Sequence, residues 1–203
     1  QLIARKVREL GVYSEIWPPT APVEAIRAAG PQGLILSGGP QSVYGKGAPT
    51  VSPEIFALGV PILGICYGLQ LMAHLLGGRV VPSPRREYGF AALRLIRRDG
   101  LLSGLKDGEQ VWMSHGDKVE KLPPGFRVSG RTGNTRAGVI EDPRRDFYGV
   151  QFHPEVIHTK EGRKLLANFL FKIAGLIPDW NMGSFIERKT EEIRKTVGRG
   201  RVL

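Results

Sequence analysis

A single cysteine, Cys66, sits in the run Gly64-Ile65-Cys66-Tyr67-Gly68. The apolar stretch Val60 to Ile65 precedes it, and a helical pattern from about Tyr67 to Leu76 follows, stopped by Gly77-Gly78. A nucleophile between glycines, at a strand-to-helix junction, is the pattern of a nucleophile elbow. Such a turn holds the nucleophile in a strained backbone conformation, and the glycines let strand and helix approach closely. The helix N-terminus favours negative charge, so the thiol ionises more readily there. Taken alone, a lone cysteine is as readily an inert core residue.

A second group is His153-Pro154-Glu155, after the strand-like run Phe147–Phe152. Side chains two apart on an extended chain point the same way, and Pro154 biases His153 toward an extended conformation. Glu155 is therefore placed to orient the imidazole, and His153 to serve as base for Cys66, which completes a nucleophile–base–orienter set. His153-Pro154-Glu155 by itself also fits a strand-end histidine before a solvated glutamate. Ser37-Gly38-Gly39-Pro40 follows a buried strand and can aim backbone N–H groups into a cleft, as an oxyanion hole requires; a plain turn is the commoner use of these residues. Met113-Ser114-His115-Gly116-Asp117 either lines a site or is a loop after a strand.

The elements that must position these residues alternate. Helical spacing joins Leu2, Ile3, Val7 and Leu10, with Gly11 as stop; Tyr13–Trp17 reads as a short strand, Pro22–Ala29 as a helix and Gly33–Ser37 as a buried strand. Alternating strands and helices predict an α/β fold: a mostly parallel central sheet flanked by helices, with flavodoxin-like layering. Between residues 79 and 152 the character changes. Short strands at Ala91–Ile96, Gln110–Met113, Arg127–Gly130, Ala137–Glu141 and Phe147–Phe152 predict a smaller antiparallel section. Lys160–Ala174 reads as a helix. Gly175 to Trp180 reads as a linker, and Ser184-Phe185-Ile186-Glu187 as a capping box opening a charged helix to about Val197. Arg201-Val202-Leu203 looks like the start of another strand, which points to a further domain downstream.

The chain of 203 residues is long enough for one core without staples. One cysteine excludes an internal disulfide scaffold and fits a reducing, cytoplasmic setting. No apolar run approaches the roughly 18–20 residues of a membrane helix, so no membrane partner is expected. The chain does not begin with Met and is expected to start inside a longer one. The net charge of +10 comes from 29 Lys+Arg against 19 Asp+Glu. Its densest patch, Arg85, Arg86, Arg94, Arg97 and Arg98, lacks the interleaved aromatics of a single-strand binder, so no nucleic acid is expected and a solvated or partner-facing surface is. The four histidines, His74, His115, His153 and His158, have no metal-ligand spacing, and no metal is expected. His158 is expected to face solvent and His74 to pack on its helix.

Together, Ser37-Gly38-Gly39-Pro40, Pro61-Ile62-Leu63-Gly64-Ile65-Cys66-Tyr67-Gly68-Leu69-Gln70 and Gln151-Phe152-His153-Pro154-Glu155 resemble the class I, or triad-type, glutamine amidotransferases. The resemblance covers residues 1–175. Within that family the nearest likeness is to the glutaminase domains of the GMP synthetases, carried by Ser114-His115-Gly116-Asp117-Lys118-Val119, Gln1-Leu2-Ile3-Ala4-Arg5 and Trp180-Asn181-Met182-Gly183-Ser184-Phe185-Ile186. The resemblance implies Cys66 as nucleophile, His153 as acid–base and Glu155 as its orienter. It implies an oxyanion hole from the backbone N–H groups of Gly39 and Tyr67, and glutamine contacts from Gln70, Ser114, Gly116 and Asp117. Glutamine would be hydrolysed through a Cys thioester, and the ammonia would pass to adenylated xanthosine monophosphate in purine biosynthesis.

Two departures accompany the likeness. The family begins with a strand and an Asp-Phe-Gly-Ser-Gln type turn, and this chain starts just after them. The Ser-Gly-Gly-Val-Asp-Ser loop of the ATP pyrophosphatase is not in these residues either. Residues 176–203 are therefore expected to be a linker and the start of a synthetase domain, on the same or a separate polypeptide. ATP and Mg would bind in that domain, with no cofactor in this chain and homodimer contacts mostly beyond it. Two other readings are an amidotransferase of another biosynthetic synthase, against which the linker speaks, and a catalytically silent regulatory module, against which the intact Cys66, His153 and Glu155 speak.

Overall fold

The computed structural model describes residues 1–198 and 200. The expected strand start at Arg201-Val202-Leu203 lies outside them. Seven strands form one sheet in the order β1-β2-β7-β6-β5-β3-β4. They are β1 (Leu34–Leu36), β2 (Ile62–Ile65), β3 (Arg79–Leu95), β4 (Glu109–Lys121), β5 (Arg127–Arg131), β6 (Val139–Asp142) and β7 (Phe147–Val150). β1, β2 and β7 run parallel, and β7-β6, β6-β5, β5-β3 and β3-β4 pair antiparallel. The expected α/β fold with a parallel and an antiparallel section is what the chain adopts; the parallel strands β1, β2 and β7 stand at one end of the sheet, and β7, expected in the antiparallel section, runs parallel to β2 while pairing antiparallel with β6.

β2 is buried at every position because it has neighbours on both edges and helices over both faces. Leu63 and Ile65 join the core with Val7 of α1 (Leu2–Glu9) and Leu165 and Leu166 of α4 (Gly162–Ala167); Ile62 joins the core with Leu69 and Met72 of α3 (Tyr67–Leu75). Alternation sends Gly64 toward α3, where a methyl would stand 2.6 Å from Leu69 N. That missing side chain lets the helix lie on the strand. The short helix α2 (Val23–Ala29) ends at Gly30.

The structure changes several expectations. Tyr13–Trp17 is not a strand: it joins no ladder among the described residues, and Tyr13, Ile16 and Trp17 are exposed. An alternating pattern without a neighbour to pair with does not make a strand. β1 is an edge strand, with no strand on its outer side among the described residues. β3 begins at Arg79 rather than Ala91, carrying Pro82 and Pro84 past a register irregularity between Pro82 and Glu87. Residues Met113–Asp117 lie within strand β4. The helix expected over Lys160–Ala174 starts at Gly162 and widens into π-type turns over Asn168–Ile173. There the buried Asn168 amide donates to the Leu101 and Ser103 carbonyls at 3.0 and 2.8 Å.

The linker is docked. The Trp180 N–H donates to Gly11 O at 2.8 Å, and a methyl on Gly11 would meet Pro178 Cβ at 3.1 Å. The last helix, α5 (Met182–Val197), starts two residues before the capping box and exposes Ile186 and Ile193. Among the described residues no helix is long and apolar enough to cross a membrane.

Candidate active site

Cys66 joins β2 to α3 with φ 52° and ψ −107°. A non-glycine residue there costs about 1–3 kcal/mol, so the surroundings must hold it. The Cys66 N–H donates to Val150 O at 2.8 Å, and the Cys66 carbonyl accepts from Gln70 N at 3.2 Å. A methyl at Gly68 would lie 2.0 Å from Leu36 O, so the first turn of α3 rests directly on the β1 backbone. The elbow read from the sequence is present, and the glycines act by close approach.

His153 leaves β7 and is fixed through its backbone to β4. Its N–H donates to Trp112 O at 3.0 Å, and its carbonyl accepts from the Thr159 hydroxyl at 2.6 Å. That hydroxyl oxygen also accepts from Trp112 N at 3.0 Å. On the side chain, His153 Nδ1 lies 2.9 Å from Glu155 Oε1. A carboxylate only accepts, so Nδ1 carries the hydrogen and Nε2 is the nitrogen left for the thiol. The His153 pKa is pushed up from 6.5 to about 10. The hydrogen bond with Cys66 raises it first and the one with Glu155 second; burial opposes them, and the charges of both partners add. Glu155 is buried, and its Oε2 has no hydrogen-bond partner among the described residues.

The glycine turn closes the site from the β1 side. A Cβ on Gly38 would stand 3.0 Å from His153 Cε1 and 3.7 Å from Cys66 Cβ, and one on Gly39 would stand 3.3 Å from Tyr67 Cγ. Gly39 and Tyr67 are thus brought together beside the thiol. The Tyr67 N–H is the first of its helix and has no acceptor within it. The Tyr67 hydroxyl donates to Pro49 O and ties the loop after Gly39 to α3.

β4 supplies the remaining wall. Ser114 presents its carbonyl oxygen 3.6 Å from Cys66 Sγ. The Asp117 carbonyl accepts from Gln70 Nε2 at 3.0 Å, and its side chain accepts from the Tyr44 hydroxyl at 2.7 Å. Gly116 is covered by Arg86, whose Nε would lie 3.7 Å from an added methyl. The contacts above bring together Cys66, His153, Glu155, Gly39, Tyr67, Gln70, Ser114 and Asp117, while Gly116 lies on β4 between Ser114 and Asp117 with Arg86 as its neighbour.

Sequence reasoning missed Tyr44, Thr159 and Gln151. The Gln151 amide Nε2 is 3.8 Å from Cys66 Sγ, and Gln70 Nε2 donates to Gln151 Oε1 at 3.2 Å. Strand alternation carries a signal for Gln151, which stands two residues before His153. Tyr44 and Thr159 reach the site through loops and leave no such signal. His74 is exposed rather than packed, because it sits on the outer face of α3. His158 is exposed as expected and stacks on Trp112 at 4.4 Å. The described residues bring together no group of three His, Cys, Asp or Glu that could hold a metal. Part of the arginine patch is already paired: Arg94 with Asp107 at 3.1 Å, and Arg97 with Asp99 and Glu141 at 3.5 and 3.6 Å.

The chain matches the family model for glutamine amidotransferase class-I over residues 1–173. It is 58% identical to the glutamine-hydrolyzing GMP synthase of Symbiobacterium thermophilum and 53% identical to that of Carboxydothermus hydrogenoformans. Both alignments cover 100% of this chain and 40% of the relative, so the chain spans about two-fifths of the length of these relatives. Among solved structures it is similar to a protein from Thermoplasma acidophilum assigned as one chain of a GMP synthase. That match has a TM-score of 0.74 at 28% identity, covering 94% of this chain and 91% of the other. A glutamine amidotransferase of Thermotoga maritima shares the fold, with a TM-score of 0.69 at 19% identity over 86% and 92% of the two chains.

Proposed function

Because this chain belongs to the class I glutamine amidotransferases, we propose that it is the glutamine-hydrolysing part of a GMP synthase. The observation that carries the reading is the strained Cys66 at a helix N-terminus, beside an imidazole whose Nδ1 is held 2.9 Å from Glu155. His153, held by Glu155, accepts the proton of the thiol, and the thiolate is the attacking form. The Cys66 thiolate adds to the side-chain amide carbon of glutamine. The oxygen that becomes negative is met by the N–H groups of Gly39 and Tyr67. His153 gives its proton to the leaving nitrogen, ammonia departs, and a glutamyl thioester remains. A water then yields a proton to His153 as it attacks the thioester, and glutamate leaves with the thiolate restored. Glu155 keeps the imidazole in one tautomer throughout.

Gln70, Ser114, Gly116 and Asp117 form the wall for the amino-acid end of glutamine. Residues 1–175 make the amidotransferase domain, and 176–203 the linker and opening of a synthetase domain. That domain, on the same or a separate polypeptide, would use ATP and Mg to adenylate xanthosine monophosphate and receive the ammonia, in the cytoplasm. Homodimer contacts would lie there as well.

The test has two arms. Trapping Cys66 with 6-diazo-5-oxo-L-norleucine, a glutamine-shaped electrophile, should label this residue in a saturable way that glutamine blocks. In the complete enzyme, Cys66→Ala should abolish glutamine-dependent GMP formation and leave ammonia-supported formation largely intact. Equal loss of both activities would make Cys66 structural.

A further inference from the structure

Behind the catalytic face lies a second histidine–carboxylate pair that the reaction steps above do not use. Glu87, His115, Thr132, Thr135, Gln70 and Gln151 are all buried. Hydrogen bonds join them into one chain, in which the Thr135 hydroxyl stands between Glu87 and His115 Nε2, 3.3 Å from the latter, and the Asp117 carbonyl stands between His115 and Gln70. The Thr132 hydroxyl donates to Glu87 at 3.0 Å and the Thr135 hydroxyl at 2.6 Å. His115 Nε2 lies 3.4 Å from Glu87 Oε2. On the far side of the ring, His115 Nδ1 is 2.8 Å from the Asp117 carbonyl. A carbonyl only accepts, so Nδ1 is the donor and the ring orientation is fixed.

The Asp117 carbonyl also takes the bond from Gln70 Nε2, so its two acceptor sites are both in use. The second amide hydrogen of Gln70 goes to Gln151 Oε1. With both hydrogens committed, Gln70 Oε1 is the atom left to meet a donor on the substrate, and the α-ammonium of glutamine is such a donor. A buried carboxylate is costly unless it is well paired. Here the strand register is bent to place one. Pro82 pairs with Asp117 and Glu87 with His115, so five steps along β3 match two along β4. The odd excess reverses which face β3 presents, and Glu87 turns inward opposite His115 while Arg86 and Tyr88 point out.

We propose that Glu87 is a positioning residue for glutamine binding: through His115 it pins the Asp117 carbonyl, and through that carbonyl it fixes the Gln70 amide at the amino-acid end of the substrate. This rests on the glutaminase reading and assigns the glutamine site a support that extends to β3. Neither Glu87 nor His115 touches the reacting atoms. Their loss should weaken binding and leave the thiol chemistry alone.

The experiment measures inactivation of Cys66 by 6-diazo-5-oxo-L-norleucine, whose saturation separates binding (KI) from the covalent step (kinact). Iodoacetamide, which has no amino-acid end, reports the thiol by itself. In Glu87→Ala and His115→Leu, KI should rise about tenfold, the value of roughly one oriented hydrogen bond, with kinact and the iodoacetamide rate within about twofold. His115→Asn can place an N–H near the Nδ1 position and should bring KI back to within about threefold of the unaltered chain. Should circular dichroism show Glu87→Ala unfolded, Thr135→Val, which removes one donor to Glu87 at nearly constant volume, should raise KI about threefold. An unchanged KI in a folded Glu87 or Thr135 variant overturns the proposal, as does equal loss in His115→Asn and His115→Leu. A matching fall in the iodoacetamide rate would also overturn it, since it would make the network a general support of the fold. An unaltered chain that never reacts with the diazo compound refutes the glutaminase reading itself.

Discussion

Replacing Cys66 with alanine should change the titration of His153 more than any other single substitution. In the native site the imidazole is lifted from 6.5 to about 10, with the hydrogen bond to Cys66 the foremost cause and the bond to Glu155 the next. At about 1.4 kcal/mol per pH unit, that lift is a preference for imidazolium on the order of 5 kcal/mol. Cys66→Ala removes both contributions that the sulfur makes to this lift. It leaves Glu155, which raises the value, and burial, which lowers it. The midpoint should fall by at least one pH unit. Proton and carbon NMR of the histidine Cε1 position measures this directly, with His153→Asn assigning the signal. The sign for stability follows from the same shift. A folded value above the unfolded one stabilises fully below pH 6.5, and the contribution is lost as pH rises toward 10. Thermal unfolding should therefore lose more stability across that window in the native chain than in Cys66→Ala. A native His153 that titrates near 6.5, or a midpoint unmoved by Cys66→Ala, would refute this account of the imidazole.

Three further outcomes are expected. Gly68→Ala should destabilise the fold by about 3 kcal/mol or more, because the methyl would lie 2.0 Å from Leu36 O and backbone must shift; a denaturant midpoint within error of the native one would contradict this packing. His153→Ala should cost nearly as much glutaminase rate as Cys66→Ala, since the two act in one step, while Glu155→Gln should cost less and lower the His153 midpoint; an active His153→Ala would remove it as the proton carrier. Limited proteolysis should spare the chain through Trp180, which is bonded to Gly11, and cut within α5, where Ile186 and Ile193 are exposed; protection through Leu203 in a verified monomer would show α5 to be part of the core.

The placement of Cys66, His153 and Glu155 was legible because its signals are local in the chain. The elbow needs only Gly64, Cys66 and Gly68 around one junction, and Glu155 orients His153 from two residues away. β1 and β2 were legible for a similar reason, as apolar runs bounded by turns; β7 was assigned to the antiparallel section because it follows β6 closely, and its parallel pairing with β2 comes from a partner distant in the chain. Glu87 was not. It sits among Pro82, Pro84, Arg85 and Arg86, residues that argue against a strand, and its inward direction depends on a register step that only pairing with β4 creates. Met113 to Asp117 read as a possible loop for the same reason: Gly116 and Asp117 are poor strand formers, and the β3 ladder overrides them. Tyr13–Trp17 shows the converse. Its pattern suits a strand, and it joins no ladder among the described residues.

The outer side of β1, which carries no strand among the described residues, has a practical consequence for handling these 203 residues in solution. Leu34, Ile35 and Leu36 carry no charge, no proline and no bulge along that edge, so the usual deterrents to strand addition are lacking. Such an edge accepts any extended segment that arrives with apolar side chains, including the same edge of another molecule. Self-association by this route would grow with concentration and be insensitive to ionic strength. It would also be independent of Cys66, so a reducing agent would not cure it, and a loss of soluble material on concentrating the sample would say nothing about the catalytic site.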